Sequence, residues 1–141
     1  MKEYAVSPEQ MEKIKTALRS QGALIGYLFG SRARGTAGAL SDVDIGAAFP
    51  RTIPLQEQEN RIENIRAKLE NIFGRDKVDV INVGAVRDPL LRYRIVLGEG
   101  MLLFADVAAL KNSIARRALR DFEDTRRLRE IQHRVAERIF A

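Results

Sequence analysis

Between two short apolar runs, residues 23–29 and 43–49, the chain carries Gly30-Ser31 and, after ten intervening residues, Asp42-Val43-Asp44. This stretch constrains the fold more than any other. Apolar runs of this length, bounded by Gly and Pro50, read as buried strands, so the polar residues between them must emerge at one end of a sheet. A Gly after a strand lets backbone approach a ligand closely. The amides of such a turn, and of a helix that follows it, offer an anion site. Ser31 adds a hydroxyl, and Arg32 and Arg34 add cations suited to phosphate. On a strand, residues i and i+2 share a face. Asp42 and Asp44 therefore aim two carboxylates the same way, while Val43 points into the opposite layer. Two like charges held together are costly unless neutralised. Mg²⁺ does this with one or two carboxylates plus substrate phosphate oxygens. A turn or N-cap pair at Ser41-Asp42, and a plain strand-to-helix turn with solvated arginines, are the competing structural readings.

A third acidic residue lies farther on. Lys77-Val78-Asp79-Val80-Ile81-Asn82-Val83 alternates with β-branched enrichment and reads as a strand. An Asp amid such residues is expensive if buried. If this strand neighbours the one that begins at Val43, three carboxylates converge. Three Asp can hold two metal ions, and one can take a proton from an attacking hydroxyl. The competing reading is an exposed Asp on an edge strand.

The other elements follow from local signals. Ser7-Pro8-Glu9-Gln10 combines an N-cap, a Pro at the first helical position and a capping box. Leu55 to Phe73 carries the stripe Ile62, Ile65, Leu69 and Ile72, closed by Gly74. Asp88-Pro89 starts a helix to Leu97, and Met101 to Phe104 reads as a fourth short strand. From Val107 the chain reads as helical almost to its end, with Ile114, Ala118, Phe122, Thr125, Leu128, Ile131, Val135 and Ile139 stepping by three or four. Residues 30–41 are expected to form a turn, a short helix and a loop. The expected fold is α/β (α+β): a small mixed sheet of about four strands flanked by helices, plus a long C-terminal helical segment. Residues 1–105 form the core. Residues 106–141 form a basic amphipathic extension of the same domain.

Composition narrows the classes. At 141 residues one core suffices. No apolar run is long enough for a membrane span, no secretory pattern opens the chain, and there is no Cys for disulfides or thiolate sites. A cytoplasmic protein is the expectation. Of the net charge of +5, four come from residues 111–141, which hold nine Lys/Arg against five Asp/Glu. The basic excess is thus C-terminal and suits a solvated helix face or an acidic partner. Nucleic acid is disfavoured, because aromatic stacking residues are scarce. A P-loop is excluded, because its Lys is missing after Gly30 to Thr36. Gly98-Glu99-Gly100 lacks the third Gly of a dinucleotide fingerprint and reads as a turn. His133, six residues after Arg127, reads as a helix-surface residue.

The order Gly30-Ser31, Asp42-x-Asp44, then a strand Asp79 resembles the nucleotidyltransferase superfamily with the DNA polymerase β-like fold. Phe-Gly-Ser-Arg-Ala-Arg-Gly with Ser-Asp-Val-Asp is similar to its minimal nucleotidyltransferases. The resemblance covers residues 8–105. It implies that Gly30 and Ser31, with Arg32 and Arg34 beside them, bind the triphosphate of ATP or another nucleotide. It implies Asp42, Asp44 and Asp79 as ligands of Mg²⁺, one ion or two, with Asp79 also the base. It further implies a protein adenylyltransferase that moves AMP to a hydroxyl, such as a tyrosine of a HEPN-type toxin, and acts as that toxin's antitoxin. The alternatives are a small-molecule (aminoglycoside-like) nucleotidyltransferase and a non-catalytic binding antitoxin. The apolar stripe of the last helix outruns what a small core can cover. Either part of it meets another chain, a HEPN-type partner or a second copy, or the helix breaks and folds back.

Overall fold

A computed structural model describes residues 6–35 and 42–140, without the side chains of Arg34 and Phe140. The element order is α1 (Pro8–Ser20), β1 (Ile25–Phe29), α2 (Gly30–Arg34), β2 (Val43–Ala48), α3 (Leu55–Phe73), β3 (Val78–Asn82), α4 (Pro89–Val96), β4 (Met101–Ala105) and α5 (Ala108–Phe140). The strands form one mixed sheet in the order β3-β2-β1-β4. β1 runs antiparallel to both β2 and β4. β2 and β3 are parallel. A parallel pair needs a long crossover, and α3 supplies it.

Local chemistry explains the helix ends. Ser7 Oγ accepts from the Gln10 amide at 3.1 Å, and Gln10 Oε1 accepts from the Ser7 amide at 3.0 Å. This is the capping box expected from Ser7-Pro8-Glu9-Gln10. Asp88 Oδ1 accepts from the amides of Leu90 and Leu91 at the start of α4.

The two faces of the sheet bury different layers. On one, Leu28, Val43, Ile45, Ala47, Val78 and Val80 meet Ile14 and Leu18 of α1 and Ile62, Ile65 and Leu69 of α3. On the other, Ile25, Tyr27, Phe29 and Ala48 meet Ile95 of α4 and Ile114 of α5. Alternation along β2 thus sends Val43 and Ile45 to the first layer and leaves Asp44 and Gly46 on the second. Gly46 is where α4 settles onto the sheet. A Cβ there would lie 2.8 Å from Val83 Cγ2 and 3.2 Å from Ile95 Cγ2.

α5 neither breaks nor folds back. Its 33 residues are continuous, about 50 Å at 1.5 Å per residue. Its first part is anchored: Ile114 and Ala118 are buried, and Phe122 stacks on Tyr93 of α4 with ring centroids 3.9 Å apart. Beyond it, Leu128, Ile131, Val135 and Ile139 are 60%, 44%, 48% and 67% exposed. His133 lies on this exposed stretch and meets Glu137 at 2.9 Å, a helix-surface residue as read from the sequence. Among the described residues no helix is long and apolar enough to cross a membrane.

Candidate active site

Asp44 stands at the centre of the polar end of the sheet. In the antiparallel register it lies opposite Phe29, the last residue of β1. In the parallel register it lies opposite Asp79. Directly paired residues project to one face, so Asp44 and Asp79 are side by side; Asp42 lies one residue before β2. A hydrogen bond from the Val43 amide to the Lys77 carbonyl, 2.8 Å, fastens the start of β2 to the start of β3. That bond keeps the two acidic segments in register.

Gly30 explains why this turn has no side chain. Its φ is +74°, a conformation that costs a residue with a Cβ. A Cβ built there would also sit 2.1 Å from Asp44 Oδ2. Both the backbone and the carboxylate therefore demand glycine, and the carboxylate lies against the Gly30-Ser31 turn. Phe29, the N-cap of α2, brings no side-chain acceptor to the first amides of that helix. Ser31 and Arg32 are half-buried beside the turn. Gly35 ends α2 in the left-handed region and donates to the Ser31 carbonyl. The side chain of Arg34 and the loop 36–41, including Ser41 of the Ser-Asp-Val-Asp motif, lie outside the described residues.

Asp79 differs from its expectation in one respect. It is exposed, between buried Val78 and Val80, on a strand that forms the sheet's edge. β3 is covered on one face only at this point. Its neighbour, and not burial, distinguishes it. Asp42 is exposed as well, and Asp44 is half-buried. Among the described residues the carboxylates do not close into a group of three that could hold a metal. Their chemistry nonetheless fits a hard divalent ion: the donors are all oxygen, two are paired across the strands, and a turn of backbone amides adjoins them.

The sequence did not point to Arg92. It looks like a surface Arg in a short helix, yet it is 2% exposed. Its Nε donates to the Val83 carbonyl at 3.0 Å, its Nη2 donates to the Val86 carbonyl, and its Nη1 meets Asp121 Oδ2 at 3.3 Å. Burial first, and the neighbouring Arg117 second, lower its pKa, while Asp121 opposes them. Tyr27 is likewise 3% exposed, and burial pushes its phenol up. Tyr27 sits in the apolar run 23–29 that reads as a buried strand, whereas no sequence pattern separates Arg92 from an exposed helix arginine.

Known proteins bear on this arrangement. The profile of the Polymerase beta, Nucleotidyltransferase family matches residues 12–108, which include Gly30, Ser31 and all three aspartates. No curated protein matches the chain. Several solved structures share its fold. A chain of a toxin–antitoxin crystal structure with AMP-PNP is 20% identical, with TM-score 0.66, over 93% of this chain and 98% of that one. One from a MntA-HepT toxin–antitoxin crystal structure is 17% identical, with TM-score 0.62, over 96% and 100%. A third, from a tri-AMPylated Shewanella oneidensis HEPN toxin in complex with MNT antitoxin, is 17% identical, with TM-score 0.60, over 93% and 96%. The four-stranded mixed sheet, the Asp44–Asp79 pair beside Gly30 and the matched profile agree: the chain belongs to the polymerase beta nucleotidyltransferase family.

Proposed function

We propose that the protein transfers AMP from ATP to a hydroxyl, that the acceptor is a tyrosine of a HEPN-type partner, and that the modification makes the protein that partner's antitoxin. One observation carries the proposal: Asp44 is held between the Gly30 turn and Asp79, so phosphate-binding backbone adjoins paired carboxylates. The fold likeness adds support, since solved proteins of this shape include complexes with AMP-PNP and with an AMPylated HEPN toxin.

Asp42, Asp44 and Asp79 would hold Mg²⁺, as one ion or two, which when bound neutralises the triphosphate and the charge that develops on it. Gly30 and Ser31 cradle the phosphates, and Arg32 and Arg34 add charge. Asp79, exposed at the sheet edge, takes the proton from the attacking hydroxyl. The hydroxyl oxygen bonds to the α-phosphorus, and the bond to pyrophosphate breaks. The acceptor must reach the edge at β3 from solvent. The outer half of α5 offers an apolar stripe with an arginine-rich surround on which such a partner can dock.

The test is to incubate the protein with a HEPN-type partner protein and ATP, with and without Mg²⁺, and to weigh the partner by mass spectrometry. One or more adenylates should appear with Mg²⁺ only. A partner that is neutralised without any gain in mass would show a non-catalytic antitoxin. Adenylated aminoglycoside with an unmodified partner would show a small-molecule enzyme.

A further inference from the structure

A second cavity lies away from the carboxylate corner. It has a volume of about 290 Å³ and opens between the β2–α3 connection, the β3–α4 turn and the first turns of α5. Its apolar surface includes Phe49 and Ile114, and its polar surface includes Gln58 and three arginines, Arg51, Arg92 and Arg117.

The charges there do not balance. Asp121 meets two of these three guanidiniums, at 3.3 Å from Arg92 Nη1 and 3.7 Å from Arg117 Nε. Arg51 reaches Ser113 Oγ at 2.7 Å, and Arg117 Nη1 reaches the Gly84 carbonyl at 3.2 Å. Both of those partners are neutral. Arg92 donates to Val83, Val86 and Asp121 and acts as a fixed buried charge. Arg117 is near enough to depress the Arg92 pKa. Clustered cations around an apolar floor leave a positive field that a bound anion relieves. A guanidinium fork also matches the planar geometry of an oxyanion.

We propose that this cavity binds a small organic anion, a carboxylate or phosphate on an apolar body, with the headgroup on Arg51 and Arg117 and the body on Phe49 and Ile114. The size is at the low end for a ligand pocket and suits one small molecule. The site is separate from the proposed chemistry, since none of its residues belongs to the carboxylate corner.

Calorimetric titration of the full-length protein with phenylacetate and with phenyl phosphate tests it. At least one should bind with a Kd on the order of 1 mM or tighter, and which one binds tells the headgroup. Arg51→Gln should weaken binding by about tenfold or more, the loss of a charge-assisted contact. Arg117→Gln should do the same. Arg51 lies in an exposed loop, so its variant decides the matter even if Arg117→Gln fails to fold. Ser31→Ala should leave binding intact, which separates this cavity from the Gly30 turn. Absence of heat from both probes, or binding unchanged by Arg51→Gln, or binding lost in Ser31→Ala alone, would overturn the proposal.

Discussion

The carboxylate corner and the outer half of α5 are both exposed, yet for opposite reasons. At the corner the sheet places charges together that would separate if the strands did not hold them. Asp44 and Asp79 are paired by a parallel register and fenced by a glycine that tolerates no side chain. Along outer α5 nothing is held. Among the described residues, Leu128, Ile131, Val135 and Ile139 form a stripe with no layer against it, and the ion pairs around it are local ones such as Arg126 with Glu123 and Glu130. The first region is costly to build and should matter for chemistry. The second is costly to leave uncovered and should matter for association. The inner half of the same helix, with Ile114 and Ala118 buried, shows what the stripe looks like when it is covered.

The sharpest way to break this contrast is to neutralise the corner. Asp44→Asn should lower transfer by at least about 10²-fold, the scale lost with one preorganised charge-stabilising group. Asp79→Asn should behave alike. Near wild-type turnover in either variant would remove that residue from the site. Gly30→Ala comes next. It forces a Cβ into the left-handed region and onto Asp44, so it should cost about 1–3 kcal/mol in denaturant unfolding and also depress transfer. A variant as stable as the parent would show that the turn can relax.

Outer α5 should respond in the opposite way. Replacing Leu128, Ile131 and Val135 by Ser should leave the unfolding midpoint in place and weaken association by at least about tenfold, the effect of one lost anchor. Light scattering, with the protein alone and with a HEPN-type partner protein, measures it. Unchanged association, or a parent that is monomeric in both conditions, would refute an interface role. The smallest effect concerns Arg19 and Asp106, which tie α1 to the end of β4 through two hydrogen bonds of 2.8 and 3.0 Å. Arg19 holds the Asp106 carboxyl below its usual range, chiefly through that hydrogen bond. The tie is thus complete above about pH 4 and is lost as pH falls through the lower folded value. Asp106→Asn should abolish this component of the acid unfolding curve, and superimposable curves would show that the exposed pair contributes nothing.

Much of this was legible because it is local. The Ser7–Gln10 capping box, the Gly74 stop and the period-two pattern from Lys77 to Val83 depend on neighbours in the chain, and each reappears in the structure. The i, i+2 argument aimed Asp42 and Asp44 one way without knowledge of the fold; the structure starts β2 at Val43, so Asp44 lies on the strand and Asp42 just before it. Strand order was not legible. That β3 lies next to β2, and that Asp79 meets Asp44, follows from pairing across the α3 crossover. The exposure of Asp79 on the edge strand was the competing reading, and the sequence could not choose it because an apolar strand can be covered on one face or on two. Arg92 escaped because its acceptors, the carbonyls of Val83 and Val86 and the Asp121 carboxylate, come from a turn and a helix that the local pattern does not reveal. The cavity that it helps to line was hidden for the same reason.

The account's central claim is that the Gly30 turn and the three carboxylates form one metal-dependent nucleotide site. Calorimetric titration of ATP, with and without Mg²⁺, into the parent protein and into Asp44→Asn tests it most directly. Binding heat should appear for the parent only with Mg²⁺ and should be lost in Asp44→Asn. Equal and undetectable heat for the parent with and without Mg²⁺, or undiminished heat in Asp44→Asn, would contradict it.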